Sequence, residues 1–132
     1  MIKILFVCHG NICRSAMAEF ICRHMRPEFY CESAAVSYEE EGNDMYPPAK
    51  RCLDRHKIPY GRHRARRIEK SDYDRFDEIY VMDDYNMRNI LRIMPDPKHK
   101  IRKLCPYDIE DPWYTDNFEK VYEELCEGIK AL

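Results

Sequence analysis

The apolar positions of this 132-residue chain change period along its length. Ile2, Ile4, Leu5, Phe6 and Val7 form a short, nearly continuous apolar run, the pattern of a strand buried on both faces. Met17, Phe20, Ile21 and His24 follow at helical spacing. Met87, Ile90, Leu91 and Met94 repeat it, and Pro95 stops that helix because proline has no N–H to continue the ladder. Phe118, Val121, Tyr122, Leu125, Cys126 and Ile129 make a third stripe. Asp116 and Glu119 stand at capping-box spacing at its start, and Pro47 and Pro48 suit the first turn of another helix. The pattern predicts strands over about 2–8, 30–35, 78–83 and 101–104, and helices over about 15–26, 47–57, 84–93 and 116–131. Strands alternating with helices imply an α/β fold of three layers, a parallel sheet covered on both faces. Ligands in such folds sit at the carboxyl ends of the strands. The stripes read as core, not as cofactor-binding surfaces. Residues 1–132 read as one domain, with no linker, repeat or low-complexity segment.

Charge and cysteine content narrow the functional classes. A net charge of −2 gives no electrostatic pull toward nucleic acid or an anionic membrane surface. No apolar run approaches the roughly 18 residues of a membrane span, and the opening run is too short for a signal peptide. The seven cysteines, at 8, 13, 22, 31, 52, 105 and 126, are odd in number and scattered. That spacing fits reduced thiols in a cytoplasmic protein better than a disulfide framework. Cys8, Cys13, Cys22 and His24 lie near one another in sequence. Cys22 and His24 are two apart on a predicted helix and face different ways, and the one Cys-x4-Cys spacing, Cys8 to Cys13, has no second knuckle to pair with, so no metal is expected.

The chemistry concentrates in Cys8-His9-Gly10-Asn11-Ile12-Cys13-Arg14-Ser15. A Cys followed six positions later by an Arg proves little alone. Seven cysteines and 13 arginines in 132 residues make about 0.7 such pairs by chance. The weight comes from the strand before, the Gly-Asn within and the helix after. A strand-to-helix loop gathers backbone N–H groups around an anion. A helix N-terminus and a neighbouring guanidinium favour the thiolate, the nucleophilic form of cysteine. Arg14 offers a planar fork for two phosphate oxygens. Gly10 leaves room for backbone to approach a phosphate, and Asn11 tolerates a left-handed conformation. Ser15 suits either a helix cap or a hydrogen bond to the sulfur. The implied chemistry is phosphoryl transfer to Cys8. A departing oxygen then needs a proton. Asp111, in a Pro-stiffened loop beside Trp113 and Tyr114, is the leading donor, with Asp108 and Glu110 as competitors.

The chain resembles the low-molecular-weight protein tyrosine phosphatases over essentially its whole length. Leu5 through Ser15 with Met17-Ala18-Glu19, Ser33-Ala34-Ala35, Gly42-Asn43, Arg55-His56-Lys57-Ile58-Pro59, His63-Arg64-Ala65-Arg66, Met82-Asp83 and Asp111-Pro112-Trp113-Tyr114 carry the resemblance. It implies a four-stranded parallel sheet with the phosphate-binding loop after the first strand. It implies a cysteinyl-phosphate intermediate, with Cys8 as nucleophile, Arg14 as phosphate clamp and Asp111 as general acid and then base. It implies no cofactor or metal, and a phosphotyrosine-containing protein as substrate. His9, Gly10, Asn11, Ile12, Cys13, Trp113 and Tyr114 are the expected phosphate- and substrate-contacting residues. Asn11, Ser15, Ser33 and His63 are expected to form a supporting hydrogen-bond network. Cys13 is a redox candidate, because some relatives use a cysteine there to form a reversible disulfide with the nucleophile. The expected assembly is a monomer or weak homodimer.

Departures from the family pattern are local. Cys105 through Glu110 replaces a longer segment before Asp111. Glu39 stands where some members place an aromatic wall, with Tyr38 or Tyr46 as substitutes. Asp44 stands where bacterial members often have Pro. The basic run Arg62, Arg64, Arg66 and Arg67 reads as a solvated face with one or two ion pairs. Related protein-arginine phosphatases carry Thr at the position of Ile12, whose apolar side chain suits an aryl ring instead. Arsenate reductases of this type place a cysteine pair after the third strand, and residues 84–104 contain none.

Overall fold

A computed structural model describes residues 1–132. The chain runs β1 (Lys3–Cys8), α1 (Arg14–Met25), β2 (Tyr30–Ala35), α2 (Pro47–Arg55), α3 (Asp72–Arg75), β3 (Glu78–Val81), α4 (Asp84–Ile93), β4 (Ile101–Lys103), α5 (Pro112–Thr115) and α6 (Phe118–Lys130). The four strands form one all-parallel sheet in the order β2-β1-β3-β4. The apolar run that opens the chain becomes its central strand. Ile4, Phe6 and Cys8 point into the core beneath α1 and α6, while Leu5 and Val7 point into a second core with Val81, Ile90 and Met94. Ile4 through Val7 are completely buried, whereas Ile2 is exposed and lies outside the strand. No helix is long and apolar enough to cross a membrane.

From β1 the chain moves to β2 on one side, and it later returns to β3 on the other. The carboxyl end of β1 is therefore the point where the order reverses, the crevice in which such sheets bind ligands. Cys8 ends β1 there, paired in register with Ala35.

Several boundaries differ from the sequence pattern. The third strand ends at Val81, because Asp83 leaves it to cap α4, its carboxylate accepting the Asn86 N–H at 2.7 Å. α6 starts at Phe118 behind Asn117, not at Asp116. Asp116 instead adopts a left-handed φ of 59° and closes α5, its N–H bonded to the Pro112 carbonyl. The helices α3 and α5, four residues each, are too short to show a 3.6-residue period. His24 and Leu91, counted in core stripes, are exposed. Cys22 is buried on α1 in place of His24, while Ile90 and Met94 of the predicted α4 stripe are buried as expected.

Candidate active site

Residues 8–14 wrap around the Cys8 sulfur. The Asn11 N–H reaches it at 3.3 Å, the Ser15 N–H at 3.5 Å and the Ser15 hydroxyl at 3.0 Å. Donors converging on one sulfur favour negative charge on it. Asn11 makes the bend possible with φ 62°. Its amide nitrogen donates to Ser15 Oγ at 2.8 Å, which leaves the serine proton free to point at sulfur. Ser15 is therefore a sulfur ligand, not the helix cap: it is the second residue of α1, behind Cys13 at the cap position. His63 donates from Nε2 to the Asn11 carbonyl at 2.6 Å, and the Arg66 N–H bonds Asn11 Oδ1 at 3.2 Å. Asp44 holds the His63 N–H in turn at 3.0 Å.

Ser33 is a correction to the expected network. Its hydroxyl donates to the Glu19 carboxylate at 2.6 Å, and Glu19 is tied to Arg23 at 2.7 Å. A carboxylate is a stronger acceptor than an amide, so Ser33 braces α1 against β2 while Asn11, Ser15 and His63 brace the loop.

Arg14 is 2% exposed. Its Nη1 donates to Asp83 Oδ2 and to the Ile109 carbonyl, both at 2.7 Å, and Nη2 lies 3.6 Å from Asp111 Oδ2. Burial alone would lower its proton affinity, but the charge at Cys8 and the bond to Asp83 outweigh it and hold Arg14 above its ordinary value. Asp111 caps α5, its Oδ1 accepting the Trp113 N–H at 3.0 Å, and Pro112 fills the first helical position. The competing carboxylates are engaged elsewhere. Asp108 pairs with Lys103 at 2.7 Å and Glu110 with Lys120 at 2.8 Å, and these partners hold both below the usual carboxylate range.

A cleft of about 540 Å³, its open mouth included, sits over the sulfur. Every expected contact residue lines it: His9, Gly10, Asn11, Ile12, Cys13, Trp113 and Tyr114, together with Cys8, Arg14 and Asp111. Cys13 is buried, and desolvation followed by the charge at Cys8 pushes its thiol far up, so it stays protonated. Glu39 and Glu40 also line the cleft. Glu39 accepts from His9 Nε2 at 3.0 Å, and a Cβ at Gly10 would press on Glu40 Cγ at 3.3 Å. Tyr46 supports the wall from behind, its ring 4.7 Å from that of Trp113. Tyr38 lies outside, under Arg67. Of the basic run, Arg66 pairs with Asp72 at 2.9 Å and Glu32 at 3.4 Å, while Arg62 and Arg64 are exposed.

Three groups at the site were given no role by the sequence: the Asp83 carboxylate, the Ile109 carbonyl and Glu40. Asp83 carried a usable signal, since it directly follows the apolar run Ile79–Met82 and so stands at a strand's carboxyl end. A backbone carbonyl carries none.

The family model for the low molecular weight phosphotyrosine protein phosphatase matches residues 3–132. The human protein of that name is 39% identical over 147 aligned positions, spanning 98% of this chain and 92% of its own length. PtpA of Staphylococcus haemolyticus, a low molecular weight protein-tyrosine-phosphatase, is 40% identical over 93% of this chain and 86% of its own. Among solved structures, the low molecular weight protein tyrosine phosphatase of Streptococcus pyogenes superposes with a TM-score of 0.93 at 33% identity, covering 99% of this chain and 90% of that one. Vibrio vulnificus Wzb in complex with benzylphosphonate superposes at 0.91 with 25% identity, covering 98% and 95%. A thiol, a buried guanidinium and a loop carboxylate meet over one cleft in a fold matched along nearly its whole length, and the chain belongs to the low molecular weight phosphotyrosine protein phosphatase family.

Proposed function

We propose that this protein hydrolyses phosphotyrosine in protein substrates in two steps. The Cys8 thiolate attacks phosphorus in line, forming an S–P bond as the P–O bond to the tyrosine ring breaks. Arg14 and the loop N–H groups hold the three non-bridging oxygens, and the Asp111 carboxylic acid protonates the leaving phenolate. In the second step the Asp111 carboxylate takes a proton from water. The hydroxide attacks phosphorus, the S–P bond breaks, and the thiolate returns with inorganic phosphate released.

The observation that carries this reading is the convergence of the Ser15 hydroxyl and the Asn11 N–H on the Cys8 sulfur, with Arg14 lining the same cleft and Asp111 3.6 Å from its guanidinium. Arg14 rests on Asp83 and Ile109 through Nη1, so Nη2 and Nε remain to grip phosphate. Ile12 and the Trp113 ring make the cleft apolar where an aryl ring enters, which favours phosphotyrosine over phosphoarginine. Cys13, lining the same cleft, is placed in this reading as the partner that condenses with an oxidised Cys8 sulfenic acid, losing water and forming a disulfide. Seven free cysteines fit a reducing compartment, the cytoplasm in this reading.

A panel of phosphotyrosine peptide, phosphoarginine, phosphoserine and arsenate with reductant tests the assignment. Turnover of phosphotyrosine above the others, abolished by Cys8→Ser, is expected. Faster turnover of phosphoarginine or arsenate would replace it.

A further inference from the structure

A second cluster of reactive side chains joins α2 to α6. Cys52 and His56 stand one helical turn apart, and Glu119 faces them from the first turn of α6. The sulfur, an imidazole nitrogen and a carboxylate oxygen all lie within 4.8 Å of one another. Cys52 Sγ is 3.8 Å from Glu119 Oε1, and His56 Nε2 is 2.5 Å from Glu119 Oε2. Tetrahedral zinc, with sulfur at about 2.3 Å and nitrogen or oxygen at about 2.0–2.1 Å, spaces its ligand atoms roughly 3.3–3.6 Å apart. A bound ion would part His56 Nε2 and Glu119 Oε2 from 2.5 Å by about 1 Å, while the sulfur already stands within 4.8 Å of both groups.

The surroundings hold these groups in place. The His56 ring stacks on Tyr122 with centroids 3.8 Å apart and planes 10° off parallel. Arg55 Nε bonds Glu119 Oε1 at 2.7 Å. That is the outer hydrogen bond that commonly orients a ligating carboxylate, and it leaves Oε2 turned to His56. Cys52 is fully buried, while the His56 and Glu119 side chains are 33% and 47% exposed. The cluster is thus closed on the thiol side and open to solvent on the other. His56 Nε2 and Glu119 Oε2 are hydrogen-bonded to each other on that open side, where a cation would enter.

We infer that Cys52, His56 and Glu119 form a binding site for one zinc-type divalent cation, with its fourth position open to water. The donor mix decides the ion class: thiolate and imidazole suit zinc, whereas magnesium and calcium take all-oxygen shells. Binding releases the Cys52 thiol proton to solvent, moves the hydrogen-bonding proton off His56 Nε2, and changes no oxidation state. The bound ion ties α2 to α6 beneath Tyr46 and Phe118, whose rings pack together at 6.2 Å. The site is independent of the catalytic reading. In the sequence it was hidden, because Cys52 and His56 make a lone pair until folding brings Glu119, 63 positions beyond His56, against them.

Cobalt titration tests the site, using the full chain with Cys8→Ser and Cys13→Ser so that the cleft thiols bind nothing. One equivalent of Co²⁺ should give a thiolate-to-cobalt charge-transfer band with intense four-coordinate visible bands, and Zn²⁺ should displace it. Adding Cys52→Ser should abolish the charge-transfer band. Glu119→Gln, at a partly exposed position that leaves the fold intact, should weaken zinc at least tenfold and remove the zinc-induced rise in thermal midpoint. No charge-transfer band in the double variant would overturn the site. So would a band that survives Cys52→Ser, or a zinc affinity that Glu119→Gln leaves unchanged.

Discussion

Replacing Asp111 by Asn separates the acid role proposed for it from its structural one. Asparagine caps a helix as well as aspartate does, so the 3.0 Å bond from the Trp113 N–H persists and α5 stays formed. The ground state loses the 3.6 Å contact with Arg14, in which Asp111 is 27% exposed. An ion contact at such a rim contributes about 0–1 kcal/mol, and Arg14 keeps Asp83 and the Ile109 carbonyl. The thermal midpoint should therefore fall by no more than about 5 °C. The reaction loses far more. A tyrosinate leaving group, with a proton affinity near 10 on the pKa scale, departs poorly without a proton. A positioned acid contributes about 10²–10⁴-fold, or roughly 2.7–5.5 kcal/mol. A nitrophenolate leaves without that help and should lose about tenfold or less. The quantity to compare is kcat/KM, which covers only the steps through departure of the phenol and so excludes the later hydrolysis that both substrates share. Equal losses of kcat/KM on phosphotyrosine peptide and nitrophenyl phosphate would refute the acid role of Asp111 and move it to Asp108.

Three further outcomes follow from particular contacts. Asp83→Asn keeps the α4 cap but removes the charged acceptor from a buried guanidinium, so kcat/KM should fall about tenfold to a hundredfold, from roughly 1.5–3 kcal/mol of lost hydrogen bonding; a fall of less than twofold would show that Ile109 holds Arg14 unaided. Peroxide should inactivate the enzyme and dithiothreitol restore it, with Cys13→Ser losing most of the recovery; full recovery in that variant sinks the disulfide. Asp44, Asp108 and Glu119 are held below their ordinary values, chiefly by hydrogen bonds to Lys50, Lys103 and His56 respectively. A depressed folded-state value means the stabilisation is present above the unfolded value, about pH 4, and is lost as pH falls through the folded value. Thermal midpoints should accordingly be flat through neutral pH and drop below about pH 4, the drop shrinking in high salt because these carboxylates sit near the surface.

While the internal place of the first strand in the order β2-β1-β3-β4 came with the tertiary structure, the alternation of apolar runs determined the parallel α/β class, the burial of that strand and the loop that follows it. Those features depend on neighbours in sequence: burial on both faces requires consecutive apolar residues, and the bend at Asn11 requires a residue that tolerates positive φ. Cys8 and Arg14 belong to this group, since six intervening bonds of one loop bring them together. Asp111 led Asp108 and Glu110 on residue grounds only through its Pro-stiffened, aromatic loop, since composition does not separate the three carboxylates. The fold separates them physically, because Lys103 and Lys120 engage Asp108 and Glu110 while Asp111 alone reaches Arg14. Tertiary structure also sent Ser33 to Glu19 rather than to the loop and placed Asp83 under the guanidinium. It assembled Cys52, His56 and Glu119 across two helices. Each of these contacts joins residues 14 to 69 positions apart, and side-chain partners at that range are chosen by where strand ends and helix turns meet, which no local pattern of hydrophobic and polar residues encodes.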